Sequence, residues 1–226
     1  MPITEPLTFS LLGTEETIRL DRYTAIVAGY TGRDADAVRH HIEELAAIGV
    51  APPPEVPMFY RVASDSVITD PVVMVCGKRT SGEVEPLYIR RGGRFYLGIA
   101  SDHTDRQLEA EDIGASKRAC PKPVAGTVIP VPNLFALNLD HCRARSWVDG
   151  QLYQDGALNG LRPPAEVVDL LIDRLSIGDE DFVCLGGTLP LIDGEFVYGS
   201  NWQIELTLTD GTTLHHQYRT LKGAQS

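Results

Sequence analysis

Residues 82–106 read GEVEPLYIRRGGRFYLGIASDHTDR, and the fold turns on how this stretch pairs with itself. EPLYIRR and RFYLGIAS are short runs dense in aliphatic and aromatic residues. The Gly92-Gly93 pair between them suits a two-residue hairpin turn, in which both central residues need positive φ. An antiparallel hairpin returns the end of its second strand to the start of its first. Asp102 then lies near Glu83 and Glu85, which are two apart and so share one face of the strand. Like charges this close repel unless water, a proton or a cation intervenes. An E-x-E pair alone is ordinarily a solvated strand face. With Asp102 added, three converging carboxylates suit a hard cation such as Mg2+ or Mn2+. The cluster SDHTDRQLE, 101–109, also has a simpler reading, the capped start of a helix.

The chain has 226 residues, 43% of them hydrophobic, enough to bury a core as one domain or as a domain with a small lobe. Its 21 glycines and 15 prolines favour turns and short strands over helical bundles. A net charge of −11 argues against nucleic-acid phosphates or an anionic membrane surface as partners. Small anions stay open, because a local metal or arginine reverses the field. Cys76, Cys120, Cys142 and Cys184 form no CxxC, and Cys76 and Cys184 sit in apolar runs where a thiol acts as a small hydrophobe. With no apolar leader behind a basic start and no apolar stretch of bilayer length, a reduced, soluble, cytoplasmic protein is expected.

Around the central stretch, LTFSLLGTEETIRLDRYTAIVAGY alternates well enough for two short strands. DADAVRHHIEELAAIG spaces Ala37, Val38, Ile42, Leu45, Ala46 and Ile48 as a helix face between an Asp cap and Gly49. APPPEVP ends that helix as a rigid linker. ARSWVDGQLYQDG reads as a second hairpin, turning at Asp149-Gly150. PPAEVVDLLIDRLSIG predicts a helix with Pro at its start, an apolar stripe of Val167, Leu170, Leu171 and Leu175, and Gly178 at its stop. PVVMVCG, DFVCLGG, NWQIELTLTDG and TLHHQY add strands. The sum is an α+β protein dominated by antiparallel and mixed sheet, divided into an N-terminal lobe, residues 1–57, and a main domain, residues 58–226.

Other residues invite chemistry. His41 and Glu44 are i and i+3 on the first helix, so the carboxylate can orient an imidazole that activates water, although such a pair is ordinarily a solvated helix face. Arg106 can clamp a substrate carboxylate, or pair on its own helix with Glu109 or Asp102. Lys117 and Lys122 are anion contacts or plain loop lysines. Thr188 lies in a Gly-Gly-Thr-Leu-Pro loop that can bring backbone N–H groups and a hydroxyl to a ligand, or simply turn.

Taken in order, several of these segments resemble the fumarylacetoacetate hydrolase superfamily. GYTGRDADAVRHHIEEL with PPPEVPMFYR is similar to its Gly–aromatic stretch, HxxE helix and Pro-rich lead into Phe-x-Lys. GEVEPLYI is similar to its ExE metal strand, SDHTDRQLE to its Asp-x-Thr-x-Arg segment, and residues 147–190 to its hairpin, helix and GTP-type loop. The resemblance implies a sheet roll or sandwich of the fumarylacetoacetase C-terminal type with a small N-terminal lobe, and a homodimer. By position it makes Glu83, Glu85 and Asp102 the ligands of Mg2+ or Mn2+, and Arg106 and Thr188 the substrate contacts. His41 with Glu44 becomes the water-activating dyad and Lys117 the site lysine, with Lys122 as its rival. Glu109 stands where the family pattern has Gln, and Phe59-Tyr60-Arg61 where it has Phe-x-Lys.

The activity so implied is metal-dependent hydrolysis of a carbon–carbon bond in an acylpyruvate or another 1,3-dicarbonyl or 2-oxo acid. Keto–enol isomerisation or decarboxylation of a 2-oxo acid on the same site is the first alternative. A non-catalytic metal- or ligand-binding protein is the second, invited by an extra carboxylate, Glu109, beside an anion-binding arginine.

Overall fold

A computed structural model describes residues 6–47 and 49–223, without the side chain of Leu45; Ile48 of the expected helix stripe lies outside the described residues. The central hairpin forms as the sequence predicts. Val84–Arg91 and Arg94–Ser101 pair antiparallel, and Gly92 and Gly93 take φ of 56° and 76°, values that a β-carbon would oppose. The register sets Val84 against Ser101, and Asp102 N–H donates to the Glu83 carbonyl at 2.9 Å. The two ends of the hairpin are thereby fixed side by side.

This hairpin is the middle of an eight-stranded mixed sheet. On one side follow Thr127–Val131, Leu7–Leu11 and Thr17–Leu20; on the other follow Phe182–Leu185, Thr24–Gly29 and Met58–Val62. Phe182–Leu185 runs antiparallel to Val84–Arg91 but parallel to Thr24–Gly29. The N-terminal segment makes three strands instead of two, because the polar break at Asp21 and Arg22 sends Thr24–Gly29 to the opposite side of the sheet. The strands of the first 57 residues are thus hydrogen-bonded into the same sheet as the rest of the chain.

Both faces of the central strands are apolar, so the sheet is covered on both sides. Leu87 and Ile89 meet Phe9, Leu20, Val27, Val62, Val183 and Leu185 in one cluster. Members from the outer strands meet there, so the sheet curls round this core. Tyr88, Leu97 and Ile99 face the other way, into a larger cluster with Val167, Val168, Leu171, Ile204 and Leu206. That cluster joins a five-stranded sheet, ordered Gln151–Ala157, Arg143–Val148, Asn201–Thr207, Thr213–Lys222 and Val72–Val75. Asp149 and Gly150 turn its first hairpin at φ of 48° and 85°.

Among the described residues four α-helices complete the α+β fold: α1 (Ala35–Ala47), α2 (Arg106–Glu109), α3 (Ile113–Ala119) and α4 (Pro164–Leu175). The α1 helix starts where Asp34 accepts from the N–H groups of Asp36 and Ala37, and among the described side chains of its expected stripe only Val38 and Ile42 are even half-buried. The α4 helix opens on Pro164 and buries Val167, Val168 and Leu171, with Leu170 and Leu175 packed at the margin. It stops at Ser176, which takes φ of 51°, two residues before the glycine expected to end it.

Leu87 is wholly buried at the centre of the curled sheet. Leu87→Ala is expected to lower stability by about 3 kcal/mol, read as a lower urea midpoint at unchanged slope.

Candidate active site

At the open end of the hairpin, six charged side chains form one line of alternating sign. Glu83 pairs with Arg106 at 2.9 Å, and Arg106 with Glu109 at 2.8 Å. Glu109 faces Lys117 at 3.6 Å, Lys117 lies 2.5 Å from Asp102, and Asp102 lies 3.0 Å from Lys122. Glu83 and Asp102 come from the hairpin ends, Arg106 and Glu109 from α2, Lys117 from the last turn of α3, and Lys122 from the short strand that follows it.

The capped-helix reading of SDHTDRQLE holds on Asp105. Asp105 Oδ1 accepts from the N–H groups of Gln107 and Leu108 at 3.0 and 3.2 Å, which caps α2 and points Arg106 inward. Asp112 caps α3 in the same way through Ala115, and so positions Lys117. Asp102, only 1% exposed, is turned into the charge line instead.

Burial opposes ionisation of Asp102, but Lys117 and then Lys122 outweigh it and hold the carboxyl below the usual range. Lys117 responds in the opposite sense: burial disfavours the ammonium, yet Asp102, Glu109 and Glu83 raise its pKa. Lys122 is fully buried, and burial with repulsion from Lys117 pulls its pKa down despite Asp102; it donates to the His103 carbonyl at 2.5 Å. Glu85 stands outside the line. Burial, then the charge of Asp102, pushes its pKa well up, and the Gly187 N–H at 2.8 Å steadies the anion. Gly187 has φ of 102°, and a β-carbon there would fall 1.7 Å from Thr31 Oγ1, so only glycine brings that N–H to Glu85.

Arg106 is extensively committed. Beyond its two carboxylates, Nε donates to Ser81 Oγ at 2.7 Å, and the Phe196 ring covers the guanidinium at 4.1 Å. The Thr188 hydroxyl donates to the Val84 carbonyl and accepts from Gln154 Nε2, each at 2.9 Å, tying its loop to the strand that carries Glu85. His41 and Glu44 lie exposed on α1, with Nδ1 3.8 Å from Oε2. The His41 ring is 6.3 Å from that of Tyr30, whose phenol pKa is raised by burial and Glu109 and opposed by Lys117. The Tyr60 pKa is pushed up to about 12, chiefly by burial.

The sequence marks the loop of Gly187 as a source of backbone N–H groups but not Glu85 as the group that accepts one. His103 belongs to the core: burial and then Lys122 bring its pKa down to about 3. Its nitrogens meet the Tyr218 hydroxyl at 3.1 Å and Thr80 Oγ1 at 3.0 Å.

Among the described residues, no three His, Cys, Asp or Glu side chains converge closely enough to hold an ion. Glu83, Glu85 and Asp102 do start from adjoining strand ends. However, Arg106 lies on Glu83, and each oxygen of Asp102 carries a lysine. A hard divalent ion needs oxygens at roughly 2.1 Å and would stand against the Lys117 ammonium. In this arrangement the three carboxylates do not fit such an ion.

Solved structures share the fold. Fumarylpyruvate hydrolase from Pseudomonas aeruginosa, in complex with Mn2+ and pyruvate, aligns at TM-score 0.64 and 16% identity, over 96% of this chain and 97% of its own. A 5-carboxymethyl-2-hydroxymuconate delta-isomerase from Mycobacterium smegmatis aligns at 0.56 and 16%, over 94% and 87%. A 2-keto-3-deoxyarabinonate dehydratase aligns at 0.61 and 16%, over 94% and 79%. No curated protein matches the chain in sequence. The chain belongs to the family described as protein of unknown function (DUF2848), whose model matches residues 28–218.

Asp102→Asn removes the shared anion of two buried ammonium groups. It is expected to cost roughly 3–5 kcal/mol, measured by urea unfolding against wild type.

Proposed function

We propose that this chain is a hydrolase that cleaves the carbon–carbon bond between the carbonyls of an acylpyruvate or related 1,3-dicarbonyl 2-oxo acid. The observation that carries the reading is the alternating line of charge, a set of basic groups held buried and oriented on a fold shared with fumarylpyruvate hydrolase. Preorganised cations in a water-poor site stabilise an enolate without reorganising as charge develops. Lys117 is the member suited to this task, because its raised pKa keeps it an ammonium that donates hydrogen bonds and does not form an imine. Arg106 contacts the substrate through the Nη1 hydrogen its neighbours leave over, and Thr188 contacts it from the loop that Gln154 anchors.

His41, oriented by Glu44, takes a proton from water, and the hydroxide adds to the distal carbonyl. The carbon–carbon bond then breaks with its electron pair passing into the enolate of the 2-oxo acid. That enolate takes up the proton, and the products are a carboxylic acid and a 2-oxo acid. Because the carboxylates do not fit a divalent ion while Lys117 lies against Asp102, no step is routed through Mg2+ or Mn2+. A homodimer belongs to the same reading, supported by the exposed apolar side chains of Val72, Met74 and Leu221 at the edge of the five-stranded sheet.

One observation favours keto–enol isomerisation or decarboxylation as a second reading. The His41–Glu44 contact, at 3.8 Å on an exposed helix, is longer than a hydrogen bond, and an enolate can form without a water base. The two readings separate in an assay of an acylpyruvate panel, followed by loss of enol absorbance and by product analysis. The expected outcome is cleavage to two acids, with kcat of His41→Ala about 100-fold lower or less. Turnover without cleavage that survives His41→Ala moves the assignment to the second reading. No turnover of any panel member, with or without added Mg2+ or Mn2+, ends both.

A further inference from the structure

Lys117 and Lys122 both reach Asp102, but with different partners. Lys122 is fully buried and divides its donors between Asp102 and the backbone carbonyl of His103, so it props the loop. Among the described residues, the polar contacts of the Lys117 ammonium are with side chains of the cluster: Asp102 at 2.5 Å, Thr104 Oγ1 at 3.4 Å and Glu109 at 3.6 Å. Its side chain is 10% exposed, which leaves it little solvent to turn into.

We propose that Lys117 is the resident cation of this site: its ammonium, between Asp102 and Glu109, supplies the positive charge that a divalent ion would otherwise bring, and it binds the oxygens of a 2-oxo acid directly. The proposal rests on the reading of the site as one for such acids and adds how their charge is met. Charge count supports it first. Glu83, Arg106, Glu109, Lys117, Asp102 and Lys122 alternate in sign along contacts of 2.5 to 3.6 Å, and the formal charges of these six cancel; Glu85, outside the line, is pushed toward its neutral form by burial and by Asp102. A dication lodged among Glu83, Glu85 and Asp102 must either expel Lys117 or stand within a few ångströms of it.

Anchorage supports it second. Lys117 enters from a helix fixed by the Asp112 cap, and it lies between two carboxylates, so its head is held from both sides. Donor geometry supports it third. An ammonium has three N–H donors; one is tightly engaged by Asp102, while the contacts to Thr104 and Glu109 are long. Those two donors can turn to the carboxylate and keto oxygens of a bound 2-oxo acid. Glu109 then keeps Arg106 as its partner, so admitting the ligand strands no charge.

The test is Mn2+ binding to chelator-stripped protein, by electron paramagnetic resonance and calorimetry, with wild type and Lys117→Met; oxalate serves as the 2-oxo acid probe. Wild type is expected to bind oxalate without metal and to show no saturable Mn2+ binding at millimolar concentration. Lys117→Met is expected to bind Mn2+ at least about tenfold tighter than wild type and to lose oxalate binding in the absence of metal. Saturable Mn2+ binding by wild type overturns the proposal, and so does a folded Lys117→Met that gains none. If Lys117→Met does not fold, side-chain amine NMR of wild type decides: a Lys117 resonance that shifts with oxalate and stays sharp with substoichiometric Mn2+ supports the proposal. Broadening of that resonance by Mn2+ overturns it. None of these readouts requires turnover, so a silent acylpyruvate assay removes the hydrolase reading without touching this result.

Discussion

The contact on which the rest of the site depends is the one between Asp102 and its two lysines. An aspartate that is 1% exposed would normally give up its charge, since burial disfavours the anion by several kcal/mol. Lys117 and Lys122 reverse that preference, one on each oxygen, and in turn each lysine has its own buried charge met. Such an arrangement is weak evidence for stability, because apolar residues of the same volume would often do as well. It does specify one arrangement of α2, α3 and the hairpin end. Shift any of them by an ångström and a buried charge loses its partner.

The placement of this contact follows from local chemistry. Two glycines allow the tight turn, the turn sets the register, and the register puts Asp102 beside Glu83. Two N-caps, Asp105 and Asp112, then start two short helices at the positions that aim Arg106 and Lys117 at the hairpin end. Both helices are too short to be stable on their own. The caps and the ion pairs therefore support each other: the helices present the cations, and the carboxylates hold the helices.

Much of this was legible in the sequence where the signal is local. Gly92-Gly93 and Asp149-Gly150 declare their turns, whereas the two-residue strand period expected to put Glu83 and Glu85 on one face reaches only Glu85, since the strand begins at Val84. What required the folded chain was the choice of counter-ions. Three carboxylates in a sequence imply a cation but not which one, and Lys117 and Lys122, five residues apart, look alike in SKRACPKP. Only their routes separate them, one from a helix end into the acidic cluster, the other along a strand to a carbonyl. The loop of Gly187 was legible as a source of backbone N–H groups, but not its partner Glu85, which is distant in sequence. The stop of α4 at Ser176 shows the limit of turn chemistry too: a left-handed cap prefers glycine, but the backbone bonds back to Asp173 and Ile172 carry a serine into it.

The same fold carries a hydrolase, an isomerase and a dehydratase among its solved relatives, so the scaffold leaves the reaction open. In the proposed reading, what narrows it is the nature of the positive charge. A divalent ion chelates two oxygens and polarises both strongly. An ammonium carries half that charge and acts through directed N–H donors. It can match the metal's effect on an enolate only where water is scarce and the donor is fixed in advance. Lys117 meets both conditions, being nearly buried and held between Asp102 and Glu109. Glu109 is then an integral part of the site: an extra carboxylate beside Arg106 repels an anion only if nothing offsets it, and here it is the anion that keeps a second cation in place.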